Sequence, residues 1–192
     1  MAARTEDANA ALDAVVESRV ICQVGTQRRS DGRYMAAAKL IRDGALGKMV
    51  KCECGWHDNR PRWLRGYEEV KVEDVDWNQY LMYLPEQPFD PRKFRCWHLY
   101  KDCSVGLVGL LGSHFLDVIA WFTEDPLPRS AVGLGAHIVW TDRENFDSQE
   151  CLLHYPKGHL VQYSSRLGNA ARPFARGAKE AYNIVFYGTK GM

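Results

Sequence analysis

Apolar positions along this chain recur in two rhythms, one of about 3.6 residues and one of two. The longest apolar stretch, 106–123 (GLVGLLGSHFLDVIAWFT), has helical spacing. Leu107, Leu111, Phe115, Val118, Ile119 and Phe122 share one broad face, which predicts burial. Leu110, His114, Asp117 and Trp121 fall at i, i+4, i+7 and i+11 on a second face. The stretch is too short and too interrupted to span a bilayer.

Around this helix the same reading predicts an α/β chain. Thr5–Ser18 begins with a capping residue and acids, then turns alanine-rich, as a helix start does. A short apolar strand, 20–24 (VICQV), follows it. The polar loop 25–33 (GTQRRSDGR) then lies at that strand's C-terminal end, where open α/β sheets bind ligands. Arg28 and Arg29 there are either ligand contacts or a solvated basic turn. Tyr34, Ala37, Ala38 and Ile41 mark an amphipathic helix that closes near Gly44 and Gly47. In the strand 48–57, Val50, Cys52, Cys54 and Trp56 are expected on one face, with Met49, Lys51, Glu53 and Gly55 on the wetter one.

The segment 58–75 is a polar excursion, and 76–100 is rich in aromatics. Aromatics interleaved with Arg92, Lys93, Arg95 and His98 either line a sugar pocket or pack a long loop. Pro126 and Pro128 end the central helical region, and strands are predicted at 129–140, 148–155, 159–166 and 181–187. The segment 155–159 (YPKGH) is a hairpin turn, and 169–179 is a loop.

Composition removes several function classes. At 192 residues the chain is long enough for one domain with a sizeable core. A net charge of +1 offers no field for nucleic acid or an anionic membrane. No basic start with an apolar run marks a signal peptide. Cys22, Cys52, Cys54, Cys96, Cys103 and Cys151 are too irregularly spaced for a disulfide scaffold or a zinc knuckle. Reduced thiols, a cytoplasmic location and no metal site are therefore expected. His114 and Asp117, one turn apart on an apolar helix, are either a site or a satisfied core pair.

A family resemblance decides how these residues are read. It is carried, in order, by Val24-Gly25-Thr26-Gln27-Arg28-Arg29-Ser30, the strand after Leu46-Gly47-Lys48, Asp76-Trp77 and Phe89-Asp90-Pro91. Gly112-Ser113-His114 with Asp117, then Phe186-Tyr187-Gly188-Thr189-Lys190-Gly191, complete the set. The chain resembles the glucose–fructose oxidoreductase/inositol dehydrogenase/MocA family of NAD(P)-dependent oxidoreductases over nearly its whole length. That family joins an N-terminal Rossmann domain to a C-terminal domain with an open, mostly antiparallel sheet.

By this resemblance, residues 1–30 are the last helix and strand of the Rossmann domain. Residues 31–192 are the C-terminal substrate and oligomerisation domain. The G-x-G-x-x-G loop and the Glu-Lys-Pro segment with the catalytic lysine do not occur in this sequence. The family's central helix carries Asp-x-x-x-His, whereas Leu110 stands at the acid's position and His114 is kept. The resemblance implies His114 as the catalytic residue and Gln27, Arg28, Trp97 and Asp117 as substrate contacts. NAD(P) is the implied cofactor, with none bound by this chain alone. A sugar or polyol is the implied substrate, and a homo-oligomer through the open sheet face the implied assembly. The other reading is a non-catalytic binding or assembly module derived from the family.

Overall fold

The structure, a computed structural model, describes residues 4–59, 66–171 and 182–192. Its strands are β1 (Met49–His57), β2 (Ser130–Ala136), β3 (Ser148–His154), β4 (Leu160–Arg166) and β5 (Tyr182–Gly188). They form one open sheet in the order β2-β3-β4-β1-β5. Only β1 and β4 run parallel, and the other neighbours are antiparallel. The fold is thus α/β, with the mixed, mostly antiparallel sheet expected from the sequence. Within 58–75, residues 60–65 lie outside the described residues, as do residues 172–179 of the predicted loop 169–179.

The helices are α1 (Thr5–Ser18), α2 (Gly32–Arg42), the short α3 (Trp77–Leu81) and α4 (Pro91–Arg95), and α5 (Ser113–Thr123). All six residues assigned to the apolar face of the central helix are buried. Leu107, Leu111, Phe115 and Ile119 pack on Cys52, Cys54, Trp56, Val161 and Tyr163 of the sheet. Val118 and Phe122 pack instead on Ala38 of α2. Asp31 starts α2 by accepting a hydrogen bond from the Arg33 N–H at 2.9 Å, and Gly44 and Gly47 close it with positive φ.

The local differences have identifiable causes. The central helix contains a five-residue π turn, Val108–Gly112, before α5. The Tyr163 ring lies where a Cβ at Gly112 would meet it at 3.1 Å. The Tyr163 hydroxyl donates to the Leu107 carbonyl at 3.0 Å, so the widened turn has a side-chain partner.

In β1, Cys52, Cys54 and Trp56 face the core as predicted, but Glu53 and Gly55 are buried rather than wet, Met49 packs inward and Val50 is exposed. A register shift against β5 between Met49 and Lys51 inserts the extra residue that reverses the phase. The hairpin turn after β3 is as expected, with the Gly158 N–H donating to the Tyr155 carbonyl at 2.9 Å.

The expected strand 20–24 is not one. The run is exposed, with Ile21 fully so, and the sheet takes up none of its backbone groups. A lone extended segment with no neighbour has no ladder to join. Helix α1 buries none of its residues, and Arg4 rather than Thr5 precedes it, without a side-chain cap. The predicted strand 129–140 leaves the sheet after Ala136. Beyond it, the N–H groups of Ile138, Val139 and Trp140 turn to the Asp147 carboxylate at 3.0, 2.7 and 2.7 Å.

His57 makes the fold sensitive to acid. It is buried at the end of β1, and its Nδ1 has no hydrogen-bond partner among the described residues. Burial, and then the nearby Arg166 charge, push its pKa down to about 4. The unfolded chain therefore takes up this proton first, below the ordinary value near 6.5. The stabilisation is full above that value and is lost as pH falls from about 6.5 towards 4. At ~1.4 kcal/mol per pH unit the loss approaches about 3 kcal/mol. Urea midpoints at pH 7 and pH 4.5 measure it. The difference should shrink in His57→Gln, and an undiminished difference would reject this assignment.

Candidate functional site

The turn Gln27–Ser30 carries two adjacent arginines to α5, Arg29 to its second face and Arg28 to Phe115 of its first. Arg29 grips Asp117 with both its Nε and Nη2 groups, at 3.0 Å to each carboxylate oxygen from Nε and 2.8 Å from Nη2 to Oδ1. A forked guanidinium on a carboxylate is a strong, directional pair, and this one pins the loop to the helix. It also lies 5.5 Å from the Trp121 ring. The Arg29 pKa rises, chiefly through this hydrogen-bonded partner.

Arg28 is held differently. Its guanidinium carbon lies 4.5 Å from the Phe115 ring centroid and 5.6 Å from that of Tyr34. Phe115 in turn packs on Trp56 and Tyr163, with ring centroids 6.4 and 6.3 Å away. The cation therefore rests on a ring anchored in the core.

His114 is half-buried on the second face of α5, next to Phe115 in sequence and two residues after the π turn ends. Burial lowers its pKa, the Arg28 charge lowers it further, and Asp117 opposes both. A neutral imidazole results, the form that accepts a proton. Asp117 turns to Arg29, and Leu110 packs against the core, so neither orients the imidazole as an acid at position 110 would.

The structure thus brings together Arg28, His114 and Asp117, three of the five residues singled out in the sequence. Gln27 sits in the same turn, exposed. Trp97 lies elsewhere, in a cavity of about 230 Å³ lined with Tyr80, Leu81, Met82, Tyr83, Leu84 and Cys103. The aromatic segment is built largely as packing. Trp77 stacks on Tyr80, and Asn145 Nδ2 ties the backbone carbonyls of His98, Tyr100 and Ser104 together. Sequence reasoning missed Tyr34 and Phe115 as ring partners of Arg28, because aromatic residues at helical spacing read as core.

Two other surfaces qualify as sites by size. A cavity of about 610 Å³ is bordered by Glu68, Val70, Asp74, Phe94 and Arg95. One of about 550 Å³ lies over the outer sheet face, between Val132, Leu134, Leu152 and Leu160. Among the described residues no group of three or more histidine, cysteine or acidic side chains is arranged to hold a metal ion. No described helix is long and apolar enough to cross a membrane.

The described residues do not build the cradle that a dinucleotide's phosphates require. Such a cradle needs a strand, a glycine-rich turn and a helix N-terminus. Among the described residues no strand of the sheet leads through such a turn into α1 or α2, and the run after α1 pairs with none of the five strands.

Solved structures share this fold. The WlbA dehydrogenase from Bordetella pertussis, solved with NADH and UDP-GlcNAcA, superposes with a TM-score of 0.67 at 17% identity, over 98% of this chain and 47% of its own. An NAD binding oxidoreductase from Klebsiella pneumoniae gives 0.65 at 18% identity, over 98% and 43%. The chain therefore spans less than half the length of these proteins. No curated protein matches it. Residues 34–192 match the family described as the GFO/IDH/MocA C-terminal domain. The chain belongs to that family of oxidoreductase C-terminal domains.

Proposed function

We infer that this chain is the substrate-binding and oligomerisation part of a sugar or polyol oxidoreductase that uses NAD(P). Residues 1–30 belong with a dinucleotide-binding unit, and residues 31–192 form the substrate side. The observation that carries this reading is the neutral His114 beside Arg28, on a helix face that Arg29 and Asp117 hold in position. The imidazole takes the hydroxyl proton when the substrate carbon is oxidised, and the nicotinamide supplies the hydride-accepting chemistry when bound. Without a dinucleotide fold, this chain alone is inactive.

Exposed apolar residues support two docking surfaces. Helix α1 and its following run present Leu12, Val16, Val20 and Ile21, a face suited to the dinucleotide-binding unit. The outer sheet face presents Val132 and Leu134, 65% and 82% exposed, and suits a second copy of the chain. The free cysteines, with Cys52, Cys54 and Cys96 buried, accord with a cytoplasmic protein. A non-catalytic assembly module is the second reading, and Leu110 at the acid position favours it.

Calorimetry and light scattering test the proposal together. Titrating NADH into the 192-residue chain should give no heat of binding. Size exclusion with light scattering should give a dimer or larger at micromolar concentration. Tight stoichiometric NADH binding would overturn the domain assignment, and a monomer would overturn the assembly role.

A further inference from the structure

The charges around His114 do not balance. Arg29 and Asp117 neutralise one another through a bidentate pair. His114 is kept neutral. Arg28 remains: among the described residues it makes ring contacts with Phe115 and Tyr34 but no ion pair and no hydrogen bond to an acid. It is half-buried, over a ring that is itself 1% exposed. A guanidinium held against apolar rings has lost part of its hydration, and an acidic partner normally offsets that cost. The described residues offer none, yet the neighbouring Arg29 has one.

Resting on the reading of this face as a substrate site, we propose that Arg28 anchors a carboxylate of the substrate, so that the site takes a sugar acid rather than a neutral polyol. The uncompensated charge is a single positive one, which a carboxylate monoanion balances. A phosphate at neutral pH carries up to two negative charges and would leave the site negative. The guanidinium edge supplies the paired N–H groups that match a carboxylate's two oxygens. The neutral His114 beside it then meets a hydroxyl close to the acid group. Leu110 also fits this assignment. An acid at that position would add a negative charge to the face that receives the anion.

The test uses the 192-residue chain and three probes, D-glucuronate, D-glucose and D-glucose 6-phosphate, titrated while the His114 imidazole resonances are followed by NMR. Glucuronate should shift His114 and bind about 10- to 100-fold more tightly than glucose, the range of one charge-assisted hydrogen-bonded pair. Arg28→Gln should erase that preference, and Arg28→Lys should retain part of it because the charge stays while the fork is lost. Melting temperatures near the parent's establish that both variants fold, and the parent's own preference decides the matter if one does not. Equal binding of glucose and glucuronate at His114 overturns the carboxylate anchor and leaves the substrate site standing. Binding of glucose 6-phosphate without glucuronate overturns the carboxylate in favour of phosphate. No response of His114 to any of the three overturns both the anchor and the substrate-site reading.

Discussion

Replacing Phe115 by alanine is expected to cost the fold about 3–5 kcal/mol, the range for a large aromatic removed from a core. Phe115 is 1% exposed and sits between Trp56 and Tyr163 on the sheet and Arg28 on the site side. Its ring therefore fills the core and supports the cation. In the alanine variant both contacts go, and among the described residues Arg28 keeps only the more distant Tyr34 ring, at 5.6 Å. Urea denaturation followed by tryptophan fluorescence measures the stability loss.

Phe115→Leu separates the two roles. Leucine restores most of the apolar volume but has no π face, so its stability cost should be smaller, about 1–2 kcal/mol. The loss of cation–π contact, about 0.5–2 kcal/mol for a partly desolvated cation, remains. If Phe115 is a platform for Arg28, the leucine variant should fold and still bind glucuronate more weakly. If glucuronate affinity in Phe115→Leu matches the parent's, the ring is only core, and Arg28 is placed by its own turn.

How much of this was legible in the sequence depends on the range of the forces involved. The buried face of the central helix was readable because helical periodicity is local, and each of Leu107, Leu111, Phe115, Val118, Ile119 and Phe122 is buried. The turn at Gly158 was readable because its chemistry is local too. The π turn was not, because it depends on Tyr163, which reaches Leu107 from 56 residues away. The reversal at Val50 comes from pairing with β5 and leaves no mark in β1 itself.

At the site, His114 and Asp117 could be placed on one stripe, yet their spacing did not reveal their relation. Asp117 is taken by Arg29, 88 residues distant in sequence, so an apparent histidine–acid pair is an arginine–acid pair beside a neutral histidine. The strand expected at 20–24 failed for a related reason. Apolar residues predict burial against something, and the five strands described here are not its partners.

Asp147 is the clearest case of a decisive residue with no signature, and its removal is the second large effect expected. Its side chain is fully buried, and its carboxylate accepts hydrogen bonds from the N–H groups of Ile138, Val139 and Trp140. Burial alone would raise its pKa, but the three backbone donors and the Ser148 hydroxyl together outweigh that, and the net shift is downward. The Asp147 carbonyl accepts from the Leu167 N–H at 3.0 Å, and the Leu167 carbonyl accepts from the Trp140 indole at 2.8 Å. One residue thus turns the chain after β2 and fastens that turn to the end of β4. Asp147→Ala leaves three donors without their acceptor. At roughly 1–3 kcal/mol each, less what entering water recovers, the loss should be about 3–5 kcal/mol. At about 2–4 °C per kcal/mol, the melting temperature should fall by roughly 6–20 °C. Asp147→Asn keeps one carbonyl acceptor and should lose less. If the two variants melt together within about 1 °C of the parent, these three hydrogen bonds do not hold the turn. The sign of the pH dependence follows from the lowered pKa. The carboxylate's contribution is present above the ordinary range near pH 4 and disappears as acid protonates it. That loss sets in below the range in which His57 titrates, so stability should fall in two separable stages as pH drops from 7. His57→Gln should flatten the first stage and Asp147→Asn the second.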